Sequence, residues 1–274
     1  MRLLDKMDYE LPLRNEASNK GTFGKVLNIA GSDYMPGAAY LSSVAALTSG
    51  CGYVFLASEE RVINAVSAQT QNVVFLPLSD LEYHLKNADV LLIGCGLSTS
   101  KKAEAIFKDT LKQMPNIPTV IDADGLNILS EWNDPKLPER LIITPHVKEA
   151  SRLLDVNVDR IITNMEFFAK ELSQKFNCTT VLKSSETVVC SKDLEIYNNT
   201  KRNSALAKAG SGDVLAGIIA GLLAQGLDEF NAAKTGVHIH RLAGEYAKND
   251  LTEFAVLAND QIRYISNAFK KLLN

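Results

Sequence analysis

Along the first half of the chain, short apolar runs rich in β-branched residues alternate with longer stretches of helical periodicity. Residues 26–30 precede a helix over 36–49, and residues 53–57 precede one over 59–66. Runs at 73–76, 90–94, 119–122 and 141–144 continue the series, each followed by a helix-like segment. Strand–helix alternation of this kind predicts a parallel sheet with helices on its faces. Val90-Leu91-Leu92-Ile93 is apolar at every position, as a strand covered on both faces must be. Beyond residue 158 the rhythm changes. A helix over 158–176 leads to strands at 179–183, 187–191 and 195–198, and Ser184-Ser185-Glu186 is short enough to fold the first two into an antiparallel hairpin. Helices at 212–224, 229–249 and 252–272 close the chain. The expected architecture is three-layer α/β/α, with a central, mostly parallel sheet and an antiparallel edge. No linker, repeat or low-complexity tract interrupts it, so residues 1–274 are expected to form one domain.

Composition narrows the class of partner. The 274 residues are 46% hydrophobic, enough for a sizeable core, and both signs of charge are mixed along the chain to a net −3. A protein that neutralises a nucleic acid carries a basic excess or stripe, and neither is visible, which argues against that partner. Cys51, Cys95, Cys178 and Cys190 are scattered, three of them in apolar runs. They read as buried thiols of a reducing compartment; two disulfides are the alternative. Residues 1–6 alternate charges without the apolar core of a signal peptide, and the longest apolar stretch, 214–224, is too short to span a bilayer. The expected location is the cytoplasm, with no membrane partner.

Parallel α/β sheets bind ligands beyond the carboxyl ends of their strands, and the unusual residues fall at such ends. Ala209-Gly210-Ser211-Gly212-Asp213 opens an apolar helix. Its glycines let the backbone approach a ligand, and the unpaired N–H groups of the first turn, with the helix dipole, make an anion site suited to a phosphoryl group. Asp213 in that turn could take a proton from an attacking hydroxyl, or could simply be a stabilising first-turn acid. Familiar phosphate motifs are absent. No GxxxxGK[ST] occurs, and Leu215 stands where GxGxxG needs its last glycine.

Three other groups leave a purely structural alternative open. Gly94-Cys95-Gly96-Leu97-Ser98 either admits a ligand or makes a tight strand-to-helix turn. In Asp122-Ala123-Asp124-Gly125 and Thr144-Pro145-His146, acids at the end of an apolar strand need solvent, ligand or metal-bound water. Carboxylates also suit Mg²⁺ carried on phosphates. Alternatively Asp124 or Asn127 caps the next helix, and His146 bonds nearby backbone. Lys20-Gly21-Thr22-Phe23-Gly24, Gly31-Ser32-Asp33 and Met35-Pro36-Gly37-Ala38-Ala39 put small residues around the first strand, which suits a ligand or a helix started by proline. His238 and His240, two apart on a helix, diverge and cannot share a metal. Gly217 and Gly221 would let their helix pack closely on the sheet.

Taken together, these segments resemble the ribokinase-like superfamily and, within it, the NAD(P)H-hydrate dehydratases, from about residue 20 to 257 and in the family's order. The resemblance rests on Gly31-Ser32-Asp33 before Met35-Pro36-Gly37-Ala38-Ala39, on Gly96-Leu97, Asp122-Ala123-Asp124 and Thr144-Pro145-His146 with Glu149, and on Val181-Leu182-Lys183, Thr187 and Leu206-Ala207-Lys208 before the glycine loop. Ser184, Val147-Lys148, Ala209, Ser211 and Cys95 depart from the family pattern. The resemblance implies repair of hydrated NADH or NADPH, driven by ADP or ATP with Mg²⁺, in a homo-oligomer, a tetramer by analogy. It implies Asp213 as the base and Gly210, Ser211 and Gly212 as an anion hole. Lys183, Ser184, Ser185, Glu186 and Thr187, with Gly212, would contact the adenine nucleotide. Ala39, Gly96, His146 and Asp213 would hold the hydrated dinucleotide, and no protein side chain is assigned to the metal. A ribokinase-like kinase of a vitamin precursor or sugar is the rival reading.

Overall fold

The computed structural model describes residues 9–81, 85–114 and 116–274; the charge-alternating segment 1–6 lies outside them. The strands are β1 (Lys25–Ile29), β2 (Tyr53–Ser58), β3 (Val74–Pro77), β4 (Val90–Ile93), β5 (Thr119–Ile121), β6 (Leu141–Ile143), β7 (Thr179–Lys183), β8 (Thr187–Cys190) and β9 (Ile196–Asn199). They form one sheet in the order β3-β2-β1-β4-β5-β6-β7-β8-β9. Pairing is parallel as far as β7 and antiparallel for β7–β8 and β8–β9. The mostly parallel sheet with an antiparallel edge is therefore present, and its order reverses between β1 and β4.

The apolar run of β4 shows why both faces are covered. Val90 and Leu92 enter one core with α1 (Pro36–Thr48), α2 (Glu60–Ser67), α8 (Ser211–Ala224), α9 (Glu229–Ala255) and α10 (Ala258–Leu273). Leu91 and Ile93 enter the other, with α3 (Lys101–Gln113), α4 (Asp124–Ser130), α5 (Val147–Leu154), α6 (Val158–Thr163) and α7 (Met165–Phe176). Alternate side chains of one strand must face opposite sides, so a strand without polar positions needs two helical layers.

Some local expectations are corrected. The helix expected over 158–176 is two helices, because Asn164 leaves helical geometry at φ −143°, ψ 60°. The last helix starts at Ala258 and not at 252. Thr252 sits at φ 69°, ψ 157°, outside helical space, while the Leu257 N–H donates to the Asp260 carboxylate at 2.9 Å and sets the true start. Gly217 and Gly221 pack on a helix and not on the sheet. A Cβ there would fall 2.3 Å from the Ser42 carbonyl oxygen and 2.5 Å from that of Ala46, both on α1. All four cysteines are buried and free.

Candidate active site

The carboxyl ends of β4, β5, β6 and β7, neighbours in the sheet, each deliver one polar side chain to the same place. β4 runs into Gly94-Cys95-Gly96, β5 into Asp122, β6 into Thr144, and β7 ends on Lys183. The Lys183 ammonium donates to Asp122 Oδ1 at 2.7 Å, and the Thr144 hydroxyl donates to the same oxygen at 2.7 Å. The Cys95 thiol donates to Asp122 Oδ2 at 3.8 Å. Asp213, from the first turn of α8, completes the group: Cys95 Sγ and one oxygen from each aspartate lie within 4.8 Å of one another.

This convergence is held by backbone that few residues tolerate. Gly94 adopts φ +119°, and a Cβ there would stand 2.1 Å from the Asp122 carbonyl oxygen. Ala123, between the two aspartates, sits at φ 50°, ψ −118°. A residue with a Cβ is strained there, by on the order of 1–3 kcal/mol. The turn aims Asp122 at Lys183, while Asp124 Oδ2 accepts from the Ser98 N–H at 2.8 Å and ties the β4 loop to α4. Asp124 is thus a clamp between two loops; the N-cap of α4 is Ala123, which has no side-chain cap. Asn127 donates to Asp124 and caps nothing either.

The amino end of α8 is open. Gly210 precedes it in left-handed geometry at φ 88°, ψ −11°, and no side chain caps the first turn. The Ser211 N–H turns back to the Lys208 carbonyl at 3.2 Å, so an otherwise buried apolar helix points unpaired N–H groups outward at Gly212 and Asp213. A Cβ on Gly212 would stand 3.3 Å from Lys183 Nζ, so the ammonium lies directly over that end. Behind it, Ser211 is fixed by two distant helices. Its hydroxyl donates to Gln261 Oε1 at 3.0 Å and lies 3.1 Å from His240 Nε2. Burial holds His240 down to about 4, so it is neutral.

Charge in this cluster is strongly shaped by desolvation. Burial, then the Asp122 charge, pushes the Asp213 carboxyl up to about 7. Burial also raises Glu149 to about 7, against the pull of Lys183. Burial opposes the Lys183 charge, yet Asp122 and Glu149 more than offset it and hold the ammonium above its ordinary value. Cys95 is raised well above its ordinary value, first by burial and then by the carboxylates beside it. Burial lowers His146, with Lys183 adding to the effect. Its Nδ1 accepts from the Lys148 and Glu149 N–H groups at 3.1 Å each and caps α5. The backbone-bonding alternative for His146 is therefore realised, though its ring also faces the adjoining cavity.

That cavity, of about 680 Å³, opens beside the cluster. Lys183, Ser184, Ser185, Thr187, His146, Ser211 and Gly212 line it, together with Lys201, Arg202, Lys208 and Arg241, and among the described residues its lining contains no acid. Glu186 is not among these residues; it pairs with Arg202 at 2.9 Å. Asp213 is not in the lining either, but stands next to Gly212 and faces Cys95 and Asp122. Ala39 is fully buried. Gly96 packs so tightly that a Cβ would fall 2.7 Å from that of Ala38, at the sheet's point of reversal. The sequence reading missed the cations at 201, 202, 208 and 241 and the Lys183–Asp122 pair. Lys201-Arg202 directly after the last strand, and Lys208 just before the glycine loop, were the available signals.

Comparison with known proteins gives the family. The family model described as NAD(P)H-hydrate dehydratase matches residues 26–267. The ADP-dependent (S)-NAD(P)H-hydrate dehydratase of Neisseria meningitidis is 36% identical, over 94% of this chain and 90% of its own length. The chain spans about half of the bifunctional NAD(P)H-hydrate repair enzyme of Moorella thermoacetica, at 32% identity. Among solved structures, the ADP/ATP-dependent NAD(P)H-hydrate dehydratase from Bacillus subtilis, co-crystallised with ATP/Mg²⁺, superposes with a TM-score of 0.86 at 29% identity, over 96% of this chain and 94% of that one. An open helix end beside an acid-free cavity thus occurs here in a chain that belongs to the NAD(P)H-hydrate dehydratase family.

Proposed function

We propose that the protein restores NADH or NADPH from the 6-hydroxy hydrate, using ADP or ATP as phosphoryl donor. The observation that carries this reading is the open end of α8 beside a half-buried carboxyl poised near neutrality. A base whose proton affinity matches the working pH is effective at accepting a hydroxyl proton. In this reading Asp213 removes the proton from the 6-hydroxyl as its oxygen attacks the terminal phosphorus. The N–H groups at Gly212 and Asp213 stabilise the charge on the transferring group, and Ser211, its own N–H held by the Lys208 carbonyl, shapes the loop that presents them. The P–O bond to the donor breaks and leaves a phosphate ester. The lone pair of the ring nitrogen then expels phosphate, and loss of a C5 proton restores the double bond. Hydroxide leaves poorly and phosphate leaves well, which is why a nucleotide is consumed in a dehydration.

The cationic cavity would take the nucleotide, with Lys183, Ser184, Ser185 and Thr187 along one wall and Gly212 at the phosphoryl end. Gly210 supplies the turn of the anion hole, and Glu186 acts at the rim through Arg202. The hydrated ring would sit on the other side of Asp213, against Gly96 and the amino end of α1 above Ala39, with His146 between the two ligands. Mg²⁺ enters on the nucleotide. Cys95, Asp122 and Asp213 do not suit it as a resident ion, because the hard cation demands oxygen ligands, while this group offers a thiol and an aspartate already paired with Lys183. The working unit in this reading is one domain, residues 1–274, in a cytoplasmic oligomer, a tetramer by family resemblance. Among the described residues no helix is long and apolar enough to cross a membrane.

The test is incubation with hydrated NADH, Mg²⁺ and either ADP or ATP. Growth of the dihydronicotinamide absorbance, strictly dependent on nucleotide, is the expected result. Accumulation of a stable phosphorylated alcohol from another substrate, without that growth, would establish the rival kinase.

A further inference from the structure

We propose that Asp122 is a positioning residue of the transfer centre: it anchors the Lys183 ammonium over the open end of α8, where that cation meets the phosphoryl group in flight. This rests on the phosphoryl-transfer reading above. Four observations converge on it. Asp122 is almost wholly buried, at 1% exposure, and so is not itself a contact for a large ligand. Its Oδ1 is shared by the Lys183 ammonium and the Thr144 hydroxyl, each at 2.7 Å, from two neighbouring strand ends. Lys183 Nζ stands 3.3 Å from the space over Gly212, too close for any side chain to occupy that space without displacing it. The aim of Asp122 is set by the strained turn at Ala123.

A free lysine is a flexible point charge that would follow the nucleotide's phosphates wherever they lie. With its stem buried and its head tied to Asp122, Lys183 offers its remaining protons at one place. A charge fixed before the reaction stabilises the transition state without reorganisation. Asp122 thus acts on the transferred group through Lys183, and on Asp213 through space, because its charge raises the proton affinity of that carboxyl.

Wild type, Asp122→Asn, Lys183→Met and the double variant separate these roles, with kcat measured in the nucleotide-dependent dehydration of hydrated NADH and nucleotide affinity measured by calorimetry. The expected result for Asp122→Asn is a kcat lowered by about tenfold or more with nucleotide affinity within about threefold. Lys183→Met loses at least as much, and the double variant is no slower than Lys183→Met, since nothing remains to be positioned. The acid limb of the kcat profile moves to lower pH in Asp122→Asn and to higher pH in Lys183→Met, opposite shifts that loosened packing would not produce. If Asp122→Asn does not fold, Thr144→Val removes the hydroxyl from the same carboxylate oxygen and lowers kcat in the same direction. A kcat within about threefold of wild type in the folded variant, or losses that multiply in the double variant, overturns the proposal. Failure of the wild type to form NADH counts against the dehydratase reading alone; the ion pair is then judged on the same proteins by their rate of nucleotide hydrolysis.

Discussion

The two sides of the α8 amino end are built on opposite principles. On one side is the cavity, where Lys201, Arg202 and Lys208 project from the connection between β9 and α8 and, among the described residues, no acid lines the wall. On the other is a buried knot in which Asp122, Asp213, Cys95 and Lys183 crowd together at strand and helix ends. Exposed cations on a connecting segment can follow a charged ligand cheaply, each contributing little and yielding to salt. Groups that act on the reacting atoms cannot be allowed to follow anything; they must stand in place before the ligand arrives. The knot pays for that with a strained turn at Ala123 and a carboxyl pushed up to about 7. In the proposed reading, binding and chemistry are divided between a soft wall and a rigid one, and Lys183 and Gly212 belong to both.

The division can be tested, starting where the largest effect is expected. Asp213→Asn should cut turnover by about two orders of magnitude or more, the usual contribution of a general base, while nucleotide affinity measured by calorimetry stays nearly intact. The same variant should be more stable than wild type above neutral pH. Between about pH 4 and about 7 the folded state binds a proton at Asp213 that the unfolded state has released. Stability therefore falls as pH rises through that window, and the asparagine escapes the loss. The gain should be on the order of a few kcal/mol, reduced by whatever solvent reaches the carboxyl. Thermal melts of both proteins across that range check it; identical pH dependence would place the carboxyl in water.

Next comes the pH profile of the wild type. Turnover should drop about tenfold per pH unit below the value near 7 at which Asp213 gains its proton. A profile flat down to pH 5 would remove Asp213 from the proton transfer. Smaller effects belong to the soft wall. Lys201→Ala and Arg202→Ala should each raise the nucleotide KM by about fivefold or less, with kcat little changed and with a weaker salt dependence than wild type. A large fall in kcat from either would erase the contrast between the two walls. Smallest of all, Ala123→Gly should relieve the turn and raise stability by about 1 kcal/mol, net of the freedom glycine gains when unfolded. A loss of stability in chemical denaturation would show that the turn carries no strain.

Much of the frame was legible beforehand, because periodicity reports burial directly. The apolar run of β4 required two covering layers, and Ser184-Ser185-Glu186 required a hairpin edge; both are present. The uncapped amino end of α8 was legible for a similar reason, since glycines before an apolar helix act through local backbone. Local signals failed where a distant partner decided the outcome. Asp124 looked like a cap and is a clamp on Ser98, because the β4 loop passes within reach. Gly217 and Gly221 looked like a seat for the sheet and are a seat for α1. The pairing of Glu186 with Arg202, 16 residues away, was likewise invisible to local pattern.

Sequence alone determined the layered class, the sites where strands end, and the residue types able to handle a phosphoryl group, because each depends on the spacing of neighbours along the chain. Only the tertiary structure decided that Asp122 meets Lys183 across 61 residues, that Cys95 lies against two carboxylates, and that burial lifts Asp213 to about 7. Proton affinity and ion pairing depend on what surrounds a group in space. That environment is assembled when four strands stop at the same edge of the sheet.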